Sequence, residues 1–169
     1  MFVVRHKDFD LDINYMSWIV LPLDVVNADT LYYEAHRALQ DAQEKMKKAE
    51  WHTVMRSSQI CIELSVKGML RLFDIEYRPE HDVSEKLGII HKKVDGLSGY
   101  EVESIAGSAI SCRIWEPVHS LAVYGIFNVS PSSLFRETDA KAIIESASNA
   151  NSLLLSLLYK ARMNQLKME

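Results

Sequence analysis

Glycine and proline are scarce in this chain, at 6 and 4 of 169 residues. Tight turns and helix breaks are therefore few, and the elements must be long. Two cysteines are too few for a disulfide framework, and neither Cys61 nor Cys112 has a Cys-x-x-Cys partner or a histidine at metal spacing. Both fall within helical apolar patterns, so they read as small core residues in a reducing, cytoplasmic setting. No apolar run approaches the roughly 18 residues that span a bilayer. The opening Met1-Phe2-Val3-Val4-Arg5-His6 carries charge too early for a secretory leader. An excess of positive charge is also missing. A net charge of -4 gives no global attraction for nucleic acid, so any RNA contact needs a local basic patch.

What the chain does have is helical periodicity. Hydrophobic residues at 48 % and charged residues at 25 % are ordinary for a globular protein, and the length suits one domain with a real core. Residues 1–28 form an extension in which the apolar Trp18-Ile19-Val20-Leu21-Pro22-Leu23 reads as an extended arm or short strand packed on the body. A first helix is expected over Asp29–Ala49, with Asp29 as its cap and Leu31, Ala35, Ala38, Leu39, Ala42, Met46 and Ala49 along one side. Glu34, Arg37, Asp41, Glu44 and Lys48 make its solvated face. Trp51-His52 marks the turn.

The second helix, Thr53–Asp74, is apolar on two sides. Val54, Ser58, Cys61, Ser65, Gly68 and Leu72 form a stripe of mostly small side chains that lets another helix come close; Met55, Ile62, Met69 and Phe73 form the other side. Such a helix belongs in the middle of a bundle. A third helix opens on an Asp82–Glu85 capping box, runs through Val83, Leu87, Ile90 and Val94, and ends at Gly96 and Gly99. The fourth spans Tyr100–Tyr124 with Pro117 inside it, where the ring must kink or break the ladder. A Ser/Pro loop covers Phe127–Phe135. Thr138 caps the last helix, whose stripe runs from Ala140 to Ala161. The expected fold is an all-α, up-and-down bundle of four to five helices over residues 29–169, preceded by the extension.

The order of motifs resembles the HEPN domain family. The pieces are Glu63-Leu64-Ser65-Val66-Lys67-Gly68-Met69-Leu70 in the second helix, His81-Asp82-Val83 at the opening of the third, and Arg113-Ile114-Trp115-Glu116-Pro117-Val118-His119 late in the fourth. Tyr124-Gly125, the Ser/Pro loop and Thr138-Asp139-Ala140 are also similar to many prokaryotic members. The resemblance covers roughly residues 29–160. It implies a homodimeric bundle that acts either as a nucleotide- or nucleic-acid-related binding module or as a metal-independent ribonuclease, in some cases a toxin paired with a minimal nucleotidyltransferase. No cofactor and no metal are implied.

In the ribonuclease members an arginine and a histidine separated by four to six residues line a cleft at the dimer interface. Arg113 and His119 match that spacing. A histidine can move a proton near neutral pH, and a guanidinium fork matches phosphate oxygens, so the RNA's own 2′-hydroxyl can attack without a metal. On one straight helix the pair would lie about 600° of rotation apart, about 120° off a common face. The Pro117 kink or a partner's copies must bring them together. The residue after the arginine is usually polar in ribonuclease members, and here it is Ile114. That, with the acidic net charge, favours the binding reading. The bland alternative pairs Arg113 with Glu116.

Glu63 and Lys67, four apart in the favourable order, read as an intrahelical ion pair or as a device in which Glu63 orients Arg113. The family's modified tyrosine, two residues after the histidine, is Leu121 here; Tyr124 reads as a packing residue with its hydroxyl at the surface, and with Glu63 and Lys67 it is a candidate binding or orienting residue. His81 is structural beside Asp82. His36, His52 and His91 lie on polar faces. Trp115 and Val118 are expected to be exposed apolar positions that a two-fold interface covers.

Overall fold

The computed structural model describes residues 23–77 and 83–168. The arm as far as residue 22, and both His81 and the Asp82 cap, lie outside the described residues.

Helix α1 spans Val25–Lys47 and is capped by Asp24, whose Oδ1 accepts the Asn27 N–H at 3.2 Å. The expected cap, Asp29, is instead inside the first turns and pairs at 2.7 Å with Arg162, the last residue of the Glu137–Arg162 helix. Ala28, Ala35, Leu39 and Ala42 are buried. Asp41, read as part of the solvated face, accepts a hydrogen bond from the Ser57 hydroxyl at 2.5 Å across the α1–α2 contact.

Helix α2, Trp51–Leu72, starts two residues earlier than expected, so Trp51 and His52 open the helix rather than mark the turn. All six residues of its small stripe and all four of its second apolar side are buried. It packs against α1 and, further along the chain, α5 (Gly99–Trp115), α6 (Val118–Tyr124) and α8 (Glu137–Arg162). The middle-of-the-bundle position follows from having two apolar sides to cover. Gly68 sets the closeness of α8: a Cβ there would stand 2.5 Å from Leu154 Cδ2.

The single third helix is two isolated turns, α3 (Ser84–Leu87) and α4 (Ile90–Lys93). The chain then extends at Val94, whose φ of -125° and ψ of 117° place it in β1 (Val94–Asp95), paired antiparallel with β2 (Lys167–Met168). Gly99 does not end a helix but begins α5. Ser98 caps it, because Glu101 three residues on completes a reciprocal capping box.

The fourth helix breaks as the proline requires. Pro117 has no N–H for the Arg113 carbonyl, so α5 ends at Trp115 and α6 begins at Val118. The loop before the last helix contains one further turn, α7 (Pro131–Leu134). Helix α8 starts at Glu137, with the Asp139 carboxylate accepting the Arg136 N–H at 2.9 Å; Thr138 lies in its first turn and is not its cap. The architecture is an all-α bundle. Among the described residues no helix is long and apolar enough to cross a membrane.

Candidate functional site

The Pro117 break separates the two residues of the arginine–histidine pair. Arg113 lies in the last turn of α5 and is exposed; His119 lies in the first turns of α6, half-buried, with Nδ1 shielded from solvent. Because they stand on two helices, the 120° offset of one straight helix no longer fixes their relative direction. Among the described residues Arg113 forms no ion pair with Glu116 or Glu63. The expected Arg113–Glu116 pairing is therefore corrected: the guanidinium stands in solvent.

Its neighbours are the second correction. Val118 is buried in its own chain, and Trp115 is half-buried with its indole N–H donating to Ser146 Oγ at 3.3 Å. The exposed apolar residues around Arg113 are Ile110 and Ile114, each 60 % exposed. Helix α5 has apolar residues on two sides, Ile105 and Cys112 inward and this pair outward.

Glu63 and Lys67 form the expected pair at 2.5 Å, both largely buried, and Gln59 Nε2 donates to the other carboxylate oxygen at 3.2 Å. Lys67 thus brings no free cation to a ligand. Tyr124 is 81 % exposed at the end of α6, so it is a displayed ring and not a packing residue. Leu121 is half-buried. Cys61 is buried, donates to the Ala147 carbonyl at 3.6 Å, and burial pushes its thiol up to about 12, an inert core cysteine as expected. His36 is not on a free polar face: its Nδ1 lies 3.3 Å from Asn151 Oδ1 on α8 and its ring stacks on Tyr32. Among the described residues no three histidine, cysteine or acidic side chains converge as a metal set would require.

Residues 28–156 match the HEPN domain. The chain belongs to the HEPN family. No curated protein and no solved structure matches it. Within this HEPN bundle the open groove between α5 and α8, of about 520 Å³, is lined chiefly by serines: Ser104, Ser108 and Ser111 from one helix, Ser146, Ser152 and Ser156 from the other. The charged side chains in its wall are Glu101 and Lys160, and they neutralise each other at 2.6 Å.

Glu101 went unread in the sequence, although Ser98-x-x-Glu101 is a legible capping signature. Its Oε2 accepts from the Ser98 N–H and hydroxyl, each at 2.7 Å, and from Lys160. Burial pushes the carboxyl upward, but the bonds and charge of Lys160 and the Ser98 donors outweigh it and hold it below its ordinary value. The carboxylate therefore adds stability that is present above its unfolded pKa of about 4.3 and is lost as pH falls through the lower folded value. Glu101→Gln is expected to cost about 2 kcal/mol at pH 7, the scale of bonds to a charged group. In urea titrations the gap to wild type should narrow as pH falls below about 4. An equal gap at pH 7 and pH 3 would show that the charge is not what matters.

A smaller cavity of about 320 Å³ lies between the N-terminal turns of α2, α6 and α7. Its wall contains His52, Thr53 and Arg56, with Ala122 and Val123 opposite and Pro131-Ser132 at the rim. Sequence reading passed over His52 because it carries no motif by itself. Only the packing of α6 and α7 against α2 turns it and Arg56 into one wall.

Proposed function

We propose that the protein is a homodimeric HEPN module that binds nucleotide or nucleic acid and does not cleave RNA efficiently. The observation that carries this reading is Ile114, 60 % exposed directly beside the unpaired Arg113. A solvent-facing isoleucine next to the phosphate-binding fork is poor company for a site that must admit and orient a polar backbone. It suits a face covered by another protein surface. Ile110 and Ile114 on α5 and Leu155 and Tyr159 on α8 run alongside the serine-lined groove, and all four are exposed. The groove has no net charge, since Glu101 and Lys160 cancel. A protein of net charge -4 can therefore meet its own copy there without local repulsion. The small serines admit a ridge of isoleucines, and a two-fold axis supplies each copy's ridge to the other's groove. In such a dimer Arg113 and His119 of both copies border one cleft, with Glu63 and Lys67 holding α2 behind it and Tyr124 displayed at its end. A minimal nucleotidyltransferase is the partner protein that suits such a module.

The ribonuclease reading stays second, favoured by one observation: the break at Glu116–Pro117 frees Arg113 and His119 from the phase of a single helix. The deciding experiment incubates the protein with single-stranded RNA in EDTA. Binding without cleavage above background is expected. Cleavage that leaves 2′,3′-cyclic phosphate ends and falls by about 10² to 10⁴ in His119→Ala would establish the enzyme instead.

A further inference from the structure

We infer that the small cavity between α2, α6 and α7, together with the aromatic tip that follows α6, is a nucleotide-binding site: the cavity takes the phosphate and the tip stacks on the base. The inference deepens the reading of the chain as a nucleotide- or nucleic-acid-binding module, but it uses neither Arg113 nor His119.

The cavity is the basic one of the two described above. Arg56 and His52 stand one turn apart on α2 and face it, and among the described residues no carboxylate is in its wall. The nearest acid in sequence, Glu50, is occupied by Lys45 at 3.0 Å. Among the described residues Arg56 has no ion-pair partner. In a protein of net charge -4, an exposed arginine facing a pocket with no compensating acid is a local reversal of sign. The hydroxyls of Thr53, 3.3 Å from His52 Nε2, and Ser132, 2.9 Å from Ser130 Oγ, stand on two sides of the cavity and can turn toward an anion there. A planar guanidinium fork flanked by hydroxyls is the donor set that phosphate oxygens accept. A volume of about 320 Å³, at the small end of ligand pockets, accommodates a phosphate and a sugar.

The base has a place beside it. Val123 in the cavity wall is followed by Tyr124, and Pro131 at the rim closes the segment that begins there. Between them the chain folds into a tight turn: the Val129 carbonyl accepts the Ile126 N–H at 3.2 Å and the Ile126 carbonyl accepts the Val129 N–H at 2.9 Å. That turn displays Phe127 with 99 % of its surface exposed and φ of 50°, a left-handed conformation that a bulky residue rarely adopts. Tyr124, the last residue of α6 and three before Phe127, is 81 % exposed. Two aromatic rings held in water, one on a strained backbone, cost stability and gain almost no packing against the described residues. Exposed rings beside a cationic groove are how single-stranded nucleic acids and nucleotides are held without base-edge readout.

The test measures binding to the full-length protein at low salt with three probes: inorganic phosphate, AMP and a fluorescein-labelled single-stranded hexaribonucleotide. Arg56→Glu is expected to weaken all three by tenfold or more. Phe127→Ala should weaken AMP and RNA by about five- to fiftyfold, the range of one lost stacking partner, and leave phosphate unchanged. Ser132→Asp, which reaches the cavity from the opposite side, should act like Arg56→Glu, so the result does not hang on one variant. Lys141→Glu, on exposed α8 surface, controls for net charge and should have little effect. RNA bound at least tenfold more tightly than AMP assigns the site to single-stranded RNA; equal affinities assign it to free nucleotides; either supports the inference. RNA binding that ignores Arg56→Glu and Phe127→Ala, or that falls equally in Lys141→Glu, overturns this site and leaves the module reading standing. No binding of any probe overturns both. A Phe127→Ala variant that binds every probe normally but loses a protein partner would reassign the tip to protein docking and overturn the inference.

Discussion

Gly68→Val is expected to lower the stability of the protein by about 3 kcal/mol, combining overpacking with the poorer helix propensity of a β-branched residue. The clash is already defined at the first added carbon, which would sit 2.5 Å from Leu154 Cδ2 and 3.3 Å from Cδ1. Leu154 is fully buried where α8 meets α2, so it has little room to swing among core neighbours such as Leu157 and Leu158, one turn away on α8. Gly68 costs α2 about 1 kcal/mol of helix propensity relative to alanine. The chain accepts that cost because the close α2–α8 approach buries both helices. The partner variant separates this mechanism from a generic effect. Leu154→Ala alone should cost about 3 kcal/mol by leaving a cavity. Combined with Gly68→Val it should cost less than the sum by more than about 1 kcal/mol, because the valine fills what the leucine vacates. Urea unfolding followed by circular dichroism measures all three. Strict additivity, or a Gly68→Val variant within about 0.5 kcal/mol of wild type, would mean that α8 can move away from α2 at little cost.

This contact shows why so much of the bundle was readable in advance. Burial on a helix repeats every three to four residues, so the stripe from Val54 to Leu72 named both the central helix and the place where a neighbour comes closest. Pro117 located the break in the same way, through one missing N–H. What went unread depended on pairings distant in sequence. Lys160 reaches Glu101 across 59 positions, and Asn151 receives His36 across 115. Val94 leaves its helix to pair with Met168, a ladder too short to leave a periodic trace. A cap was misplaced where two acceptors competed, Asp24 against Asp29.

For the candidate site, residue type was legible and exposure was not. Trp115 and Val118 look as apolar in sequence as Ile110 and Ile114. Only the turn of α6 after the proline directs Val118 into the core and leaves the isoleucines outside. Tyr124 failed for a related reason: nothing local says whether a tyrosine after a helix folds inward, and Gly125, with φ of 72°, turns the chain away from it. A Cβ at Gly125 would lie 2.3 Å from the Val129 carbonyl oxygen, so the turn that displays the aromatic tip requires glycine there. The basic cavity was the least legible feature, since its wall draws on three elements and none of its residues belongs to a motif.

The second large effect concerns that misjudged exposure. Wild-type protein is expected to sediment as a dimer at micromolar concentration, about twice 19.3 kDa. Ile110→Glu with Ile114→Glu should leave it monomeric, weakening association by a factor of 10² or more. Each substitution places a carboxylate against the partner's serine-lined groove, where Lys160 is already held by Glu101 at 2.6 Å. Burying an uncompensated charge costs several kcal/mol, and about 1.4 kcal/mol is a tenfold change in affinity. Both isoleucines are exposed within one chain, so the monomer should keep its helical spectrum and melting behaviour once dissociated. Val26→Glu provides the control: Val26 on α1 is 78 % exposed, equally apolar, and does not line the serine groove. It should leave the dimer intact. If the wild type sediments as a monomer, the proposed interface does not exist. If the double variant stays dimeric while another exposed face, such as Val26, proves sensitive, the copies meet elsewhere and Arg113 faces solvent in the assembly as it does in the single chain.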